Sequence, residues 1–115
     1  MQKDQLFLLK PGFFKESEGP FYCGDSVAVE GLLSFFPQLR HAIDVHYIDA
    51  ARPRAAIVAL IGEDNQSAPV LVLGNDRVAV DAGVETRAHQ GVRFIDAPEQ
   101  IRRYLSTQYG VARAS

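Results

Sequence analysis

Two short apolar runs flank one helix-length apolar run, and that succession constrains the chain more than any other feature. "QLFLLK" (5 to 10) is stopped by Pro11 and Gly12 and reads as a buried strand. "DVHYIDA" (44 to 50) alternates Val45 and Tyr47 with polar neighbours before Ile48 and reads as a second strand. Between them, Ala28, Val29, Leu32, Leu33, Phe35 and Phe36 cover one wide face at the helical period, while Glu30, Gly31 and Ser34 share the other. That helix is expected to start near Gly24 to Ser26 and to end or kink at Pro37. A helical crossover of right-handed sense then joins the two strands, so they must run parallel in one sheet.

The remaining elements follow from local signals. "RPRAAIVALIG" (52 to 62) is a helix, with Pro53 in its first turn and Gly62 at its C-terminal end. "PVLVL" (69 to 73) is a third strand, and "GND" turns the chain into "RVAV" (77 to 80), a fourth strand in a hairpin. Residues 11 to 22 read as a long, turn-rich loop. Residues 81 to 93 read as an irregular insertion, with "RFI" a short extended piece. Asp96 followed by Glu99 is a capping-box pattern for a last helix, with Ile101, Tyr104, Leu105 and Tyr109 as its apolar stripe and Gly110 closing it. The expectation is one α/β domain in three layers, with a four-stranded mixed sheet of order 2-1-3-4 and three main helices.

Composition narrows the function. A chain of 115 residues can bury roughly two-thirds of its unfolded surface without metals or disulfides. Its net charge of −2, with both signs interspersed, argues against a nucleic-acid partner. No stretch reaches membrane-spanning length, and Lys10 and Pro11 interrupt the N-terminal apolar run before it could serve as a signal peptide. The one cysteine, Cys23, cannot form an internal disulfide, which points to a reducing compartment, most simply the cytoplasm. His41, His46 and His89 show no ligand spacing with one another or with Cys23, so no metal site is expected.

The element order, with Cys23 at the start of the first helix and "SAP" before the third strand, resembles the thioredoxin fold. "CGDS" (23 to 26) resembles the Cys-Gly-Phe-Ser motif of monothiol glutaredoxins, and "PVLVLGNDRVAV" their strand–turn–strand after a cis-proline. "IRRYLSTQYG" (101 to 110) resembles the last helix of the N-terminal domain of glutathione transferases. The whole pattern, including "LFLLKPGF", "FYC", "EGLL" and "NQSAPVLVL", also resembles a family of small thioredoxin-like bacterial proteins of unknown function. Asp25 departs from the glutaredoxin pattern, which has an aromatic there, and Ala97-Pro98 stands where transferases place Glu-Ser or Gln-Ser.

The resemblance implies a monothiol, glutathione-linked thiol–disulfide oxidoreductase or glutathione-binding module. Cys23 would be its nucleophile, Ser26 would replace a second cysteine, and the Ala68–Pro69 bond would be cis and present a backbone edge to the thiol substrate. No tightly bound cofactor is implied; glutathione or a thiol-bearing protein would be the partner. The residues themselves leave two readings of Cys23 open. Free N–H groups at a helix start stabilise a thiolate, whereas the Asp25 carboxylate opposes a second anion. A free cysteine is also among the most buried residue types, and an inert Cys23 would suit a non-catalytic thioredoxin-like binding or assembly protein. In the expected topology, Cys23, Arg52, Arg54, Pro69 and Asp96 converge on one edge of the sheet, with Tyr22 and Lys15 arriving from the loop. Arg52 and Arg54 oppose the dipole at the start of their own helix, and a bound anion would relieve that conflict.

Overall fold

The computed structural model of the chain describes residues 2–115. The crossover is as the apolar spacing requires. Strand β1 (Gln5–Leu9) leads through a β2–β3 hairpin (Phe13–Lys15 and Glu18–Phe21), helix α1 (Gly24–Phe35) and a short helix α2 (Leu39–Ala42) to strand β4 (Asp44–Ile48). β1 and β4 pair in parallel, from Gln5 opposite Asp44 to Leu9 opposite Ile48. Helix α3 (Ala55–Ile61) follows, then strands β5 (Val70–Val72), β6 (Arg87–His89) and β7 (Val92–Ile95), and last helix α4 (Pro98–Tyr109). β5 lies antiparallel against the other side of β1, with Phe7 opposite Val70.

Alternation along the strands divides the apolar residues between two faces. Leu6, Leu8, Leu71 and Ile95 face α1, α2 and α4, packing with Val29, Leu33, Leu39, Ile101 and Tyr104. Phe7, Val70, Val72 and Phe94 face α3 and pack on Ile57 and Ile61.

The sheet corrects the expected architecture. Among the described residues it has five strands in the order β4-β1-β5-β7-β6, with β2 and β3 as a separate two-stranded sheet, and four helices. The four-stranded thioredoxin-like arrangement of order 2-1-3-4 with three main helices is therefore not what the chain builds. The place beside β5 belongs to β7, with Leu71 opposite Ile95, and not to "RVAV". Residues 77 to 80 are not a strand because α4 satisfies their backbone instead. Val80 N–H donates to Gln108 Oε1 (2.9 Å), and Gln108 Nε2 donates to the Val78 carbonyl (3.3 Å). Residues 81 to 93 are not simply irregular: β6 and β7 form a tight hairpin through Gln90 (φ 50°) and Gly91 (φ 82°), both left-handed as such a two-residue turn demands. Residues 11 to 22 likewise hold the β2–β3 hairpin. α3 begins at Ala55, so Pro53 precedes its first turn. α4 has Ala97 at its N-cap with no side-chain bond, because Asp96 accepts from Arg87 (2.6 Å) and the capping box does not form. The Ala68–Pro69 bond is cis, as are Gly19–Pro20 and Arg52–Pro53.

One buried carboxylate joins four parts of the chain. Asp4 is fully buried. Its Oδ1 accepts from Gly74 N–H (2.8 Å), and its Oδ2 accepts from the hydroxyls of Tyr104 (2.5 Å) and Tyr109 (2.7 Å). Arg77 Nε lies 3.0 Å from Oδ1 without hydrogen-bond alignment, so charge attraction holds that pair. The Asp4 carbonyl also accepts from Asp44 N–H at the start of β4 (2.9 Å).

Two outcomes follow from this cluster. Asp4→Ala leaves the Arg77 charge and the Gly74 N–H without their partner, and urea unfolding should show a loss of roughly 3 kcal/mol. Burial, and then hydrogen bonding to Asp4, raise Tyr104 and Tyr109 above the usual tyrosine range. A raised folded value means stability that is whole below the unfolded tyrosine value of about 10 and lost as pH rises above it. The Tyr104→Phe, Tyr109→Phe double variant should flatten that alkaline loss in urea titrations at stepped pH. An unchanged slope would remove the two tyrosines as its source.

Candidate functional site

The pairing registers place the ends of β1, β4 and β7 and the start of β5 at one edge of the sheet. The segments after β1 and β4 meet there around Cys23. α1 starts where it does because the sulfur of Cys23 is its N-cap: Sγ accepts from Ser26 N–H (3.4 Å). Ser26 is buried, and its Oγ accepts from Leu9 N–H at the end of β1 (3.1 Å). A serine four residues into "CGDS" thus ties the helix start to the strand end and fixes where the thiol points. Cys23 itself is half-buried.

A cleft of about 760 Å³ opens beside the thiol, with Lys10, Lys15, Tyr22, Cys23, Asp49 and Arg54 in its lining. The β2–β3 hairpin forms one lip. Gly12 N–H donates to the Phe21 carbonyl (2.7 Å) at its base, and Lys15 Nζ lies 5.6 Å from the centroid of the Phe21 ring. Phe14 (60% exposed) and Tyr22 (65% exposed) turn aromatic surface outward on this lip.

Arg54 forms the opposite wall and is fixed by the backbone. Its Nε and Nη2 donate to the Ala50 carbonyl (3.1 and 2.8 Å), and its Nη1 donates to the Gln66 carbonyl (2.7 Å). Its own N–H donates to Gln66 Oε1 (2.7 Å). Burial, and next the neighbouring Arg52, push the Arg54 guanidinium down from its ordinary value, while Cys23 pulls it back up. The guanidinium keeps its charge in any protein setting, and no carboxylate forms an ion pair with Arg54 among the described residues. A positive group is thereby fixed in the lining of the cleft that Cys23 also lines.

The structure brings together Lys15, Tyr22, Cys23 and Arg54 of the residues singled out from sequence. Arg52 is exposed and lines an adjoining hollow of about 450 Å³ that shares Lys10, Asp49 and Arg54 with the cleft. Ala68, Pro69 and Asp96 are not in the lining of the cleft. Ala68 packs on the α3-side core, Pro69 is buried, and Asp96 is paired with Arg87. Sequence reasoning overlooked Lys10, Asp49, Phe13 and Phe21. The aromatic doublet before "KESEG" was the signal available for a hairpin. Among the described residues, no three His, Cys, Asp or Glu side chains gather as a metal site requires. No helix there is long and apolar enough to cross a membrane.

Over residues 3–113 the sequence matches a family described as a protein of unknown function (DUF3088), and the chain belongs to that family. No curated protein and no solved structure matches it.

The geometry gives two expectations. Iodoacetamide should modify Cys23 in native buffer without denaturant, as read by mass, with Cys23→Ser as the blank. Arg54→Ala removes three side-chain hydrogen bonds to backbone carbonyls and should cost about 1–3 kcal/mol in chemical unfolding.

Proposed function

We propose that the protein is a monothiol, glutathione-linked thiol–disulfide oxidoreductase with Cys23 as its nucleophile. The observation that carries this reading is the position of the sulfur: an acceptor at the N-terminus of α1 that also opens into a cleft with Arg54, Lys10 and Lys15 around it. Nucleophilic cysteines occupy such electropositive, partly exposed places at helix starts. Glutathione carries two carboxylates, which the cleft cations would attract. The likeness of Cys23-Gly24-Asp25-Ser26 to the monothiol glutaredoxin motif supports the same chemistry.

With Ser26 in place of a second cysteine, the cycle must run through a mixed disulfide with an outside thiol. The Cys23 thiolate attacks a disulfide sulfur, a new S–S bond forms, the old one breaks, and the electron pair leaves on the departing thiolate, which takes a proton from water. A second thiolate, that of free glutathione, then attacks the glutathionyl sulfur and returns Cys23 to its reduced form. Ser26, buried with its hydroxyl accepting from Leu9, acts here by positioning α1. Tyr22 and Lys15 flank the incoming group, and Arg54, with Arg52 beside it, attracts its carboxylates. A reducing cytoplasm suits the single thiol.

The exposed Phe14 and Tyr22 favour a second reading, a binding or assembly protein whose Cys23 serves only as a helix cap. One experiment separates the two. Incubated with glutathione disulfide, the native protein should gain the mass of one glutathionyl group at Cys23 and lose it again on adding glutathione. The Arg52→Ala, Arg54→Ala double variant should form the adduct about 3- to 10-fold more slowly, since each cation contributes on the order of a salt-bridge energy. If native protein forms no adduct and the thiol reacts only in denaturant, the catalytic reading is abandoned for the binding one.

A further inference from the structure

Cys23 borders two hollows of opposite character. The first is the cationic cleft. The second, about 290 Å³, lies on the α1 side of the same sheet edge and is lined by Leu9, Pro11, Tyr22, Val27, Glu30 and Tyr47. Its far wall is built. The Tyr47 hydroxyl donates to Glu30 Oε1 (2.6 Å) and accepts from Arg40 Nη1 (3.0 Å), and Arg40 also pairs with Glu30. The network anchors the phenol ring and commits the Glu30 charge. Val27, one turn into α1, is 51% exposed where a polar residue would suffice for a solvated helix face.

Taking the thiol function proposed above as its basis, we infer that this second hollow is a subsite for the apolar half of the disulfide that Cys23 cleaves. The anionic glutathionyl half lies in the cationic cleft, and an aromatic or branched aliphatic group lies against Val27 and Tyr47. A cavity of about 150 Å³ accepts a benzene ring, so the hollow is large enough for one ring and its linking carbon. The substrate class is a mixed disulfide between glutathione and an apolar thiol. The Cys23 thiolate attacks the glutathionyl sulfur, the Sγ–S bond forms, the original S–S bond breaks, and the electron pair leaves on the apolar thiolate, which takes a proton from water. One disulfide replaces another, and neither oxidant nor reductant enters.

The test compares two probes, the mixed disulfides of glutathione with benzyl mercaptan and with 2-mercaptoethanol. The rate of adduct formation at Cys23 is measured with each and divided by the rate of N-acetylcysteine with the same probe, which cancels their intrinsic reactivity. The benzyl probe should be favoured by about tenfold, the ratio that burial of one or two carbons' worth of apolar surface produces. Val27→Asn, a neutral change on an exposed helix position, should bring that ratio close to one. Equal normalised rates in the wild type, with adduct formed from both probes, would overturn the subsite while leaving the thiol function standing. A full preference retained in Val27→Asn would also overturn it, since the selectivity would then arise elsewhere. Adduct from neither probe would sink the thiol function, and the subsite with it.

Discussion

A buried carboxylate with no partners would be untenable, and the fold is arranged so that Asp4 has several. Its oxygens collect the Gly74 N–H, the Tyr104 and Tyr109 hydroxyls and the Arg77 charge, while its carbonyl holds the start of β4. The chain around residue 74 must come close for this. A Cβ on Gly74 would sit 2.1 Å from the Gln2 carbonyl oxygen, so no larger residue fits that approach. α4 is drawn onto the sheet by the same group, because two of its tyrosines reach one carboxylate. With Arg77 turned inward to Asp4 and Gln108 holding the backbone of Val78 and Val80, residues 77 to 80 have no ladder left to join.

That arrangement explains what the sequence does and does not disclose. β1, α1, β4, α3, β5 and α4 are legible because each carries its own apolar period, and the parallel pairing of β1 with β4 follows from the crossover rule. "RVAV" shows the same alternation as a strand, yet Val78 and Val80 are exposed; the deciding interactions come from Asp4, 73 residues earlier in numbering than Arg77, and from α4 beyond it. Period alone cannot register such distant competition. β7 is legible in part, as the extended "RFI", whereas β6 is hidden by its short length and charged composition, although Gln90-Gly91 supplies a compatible turn. Asp96 illustrates the same limit at smaller scale: its spacing to Glu99 is that of a capping box, but Arg87 from the neighbouring strand takes the carboxylate.

The site divides along the same line. Cys23 and Ser26 are legible as a helix start, and the structure assigns the cap to the sulfur. Arg54 is legible as a cation in the wrong place for its own helix; what could not be read is that two loop carbonyls, of Ala50 and Gln66, absorb much of its hydrogen bonding. It is at once a clamp between two loops and a charge in the cleft that Cys23 lines. Lys10 and the aromatic lip depend on how the β2–β3 hairpin folds back over the end of β1, a tertiary outcome with only a weak local signal.

The two halves of the molecule have separate duties. Asp4 and Gly74 lie at the edge where β1 starts and β5 ends, whereas Cys23 and Arg54 lie at the edge where β1 and β4 end. The polar cluster that organises the fold is thus remote, along the strands, from Cys23 and its cleft. The edge that carries Cys23 has its own polar bonds, the Arg54 clamp on the Ala50 and Gln66 carbonyls, the Ser26 hydroxyl on Leu9 and the hairpin base, and none of them involves the Asp4 cluster. A half-buried thiol between a cationic cleft and an apolar hollow is thus fixed at one edge by local loop and helix-cap bonds, while the buried carboxylate cluster fixes the opposite edge, so each can be altered without touching the other.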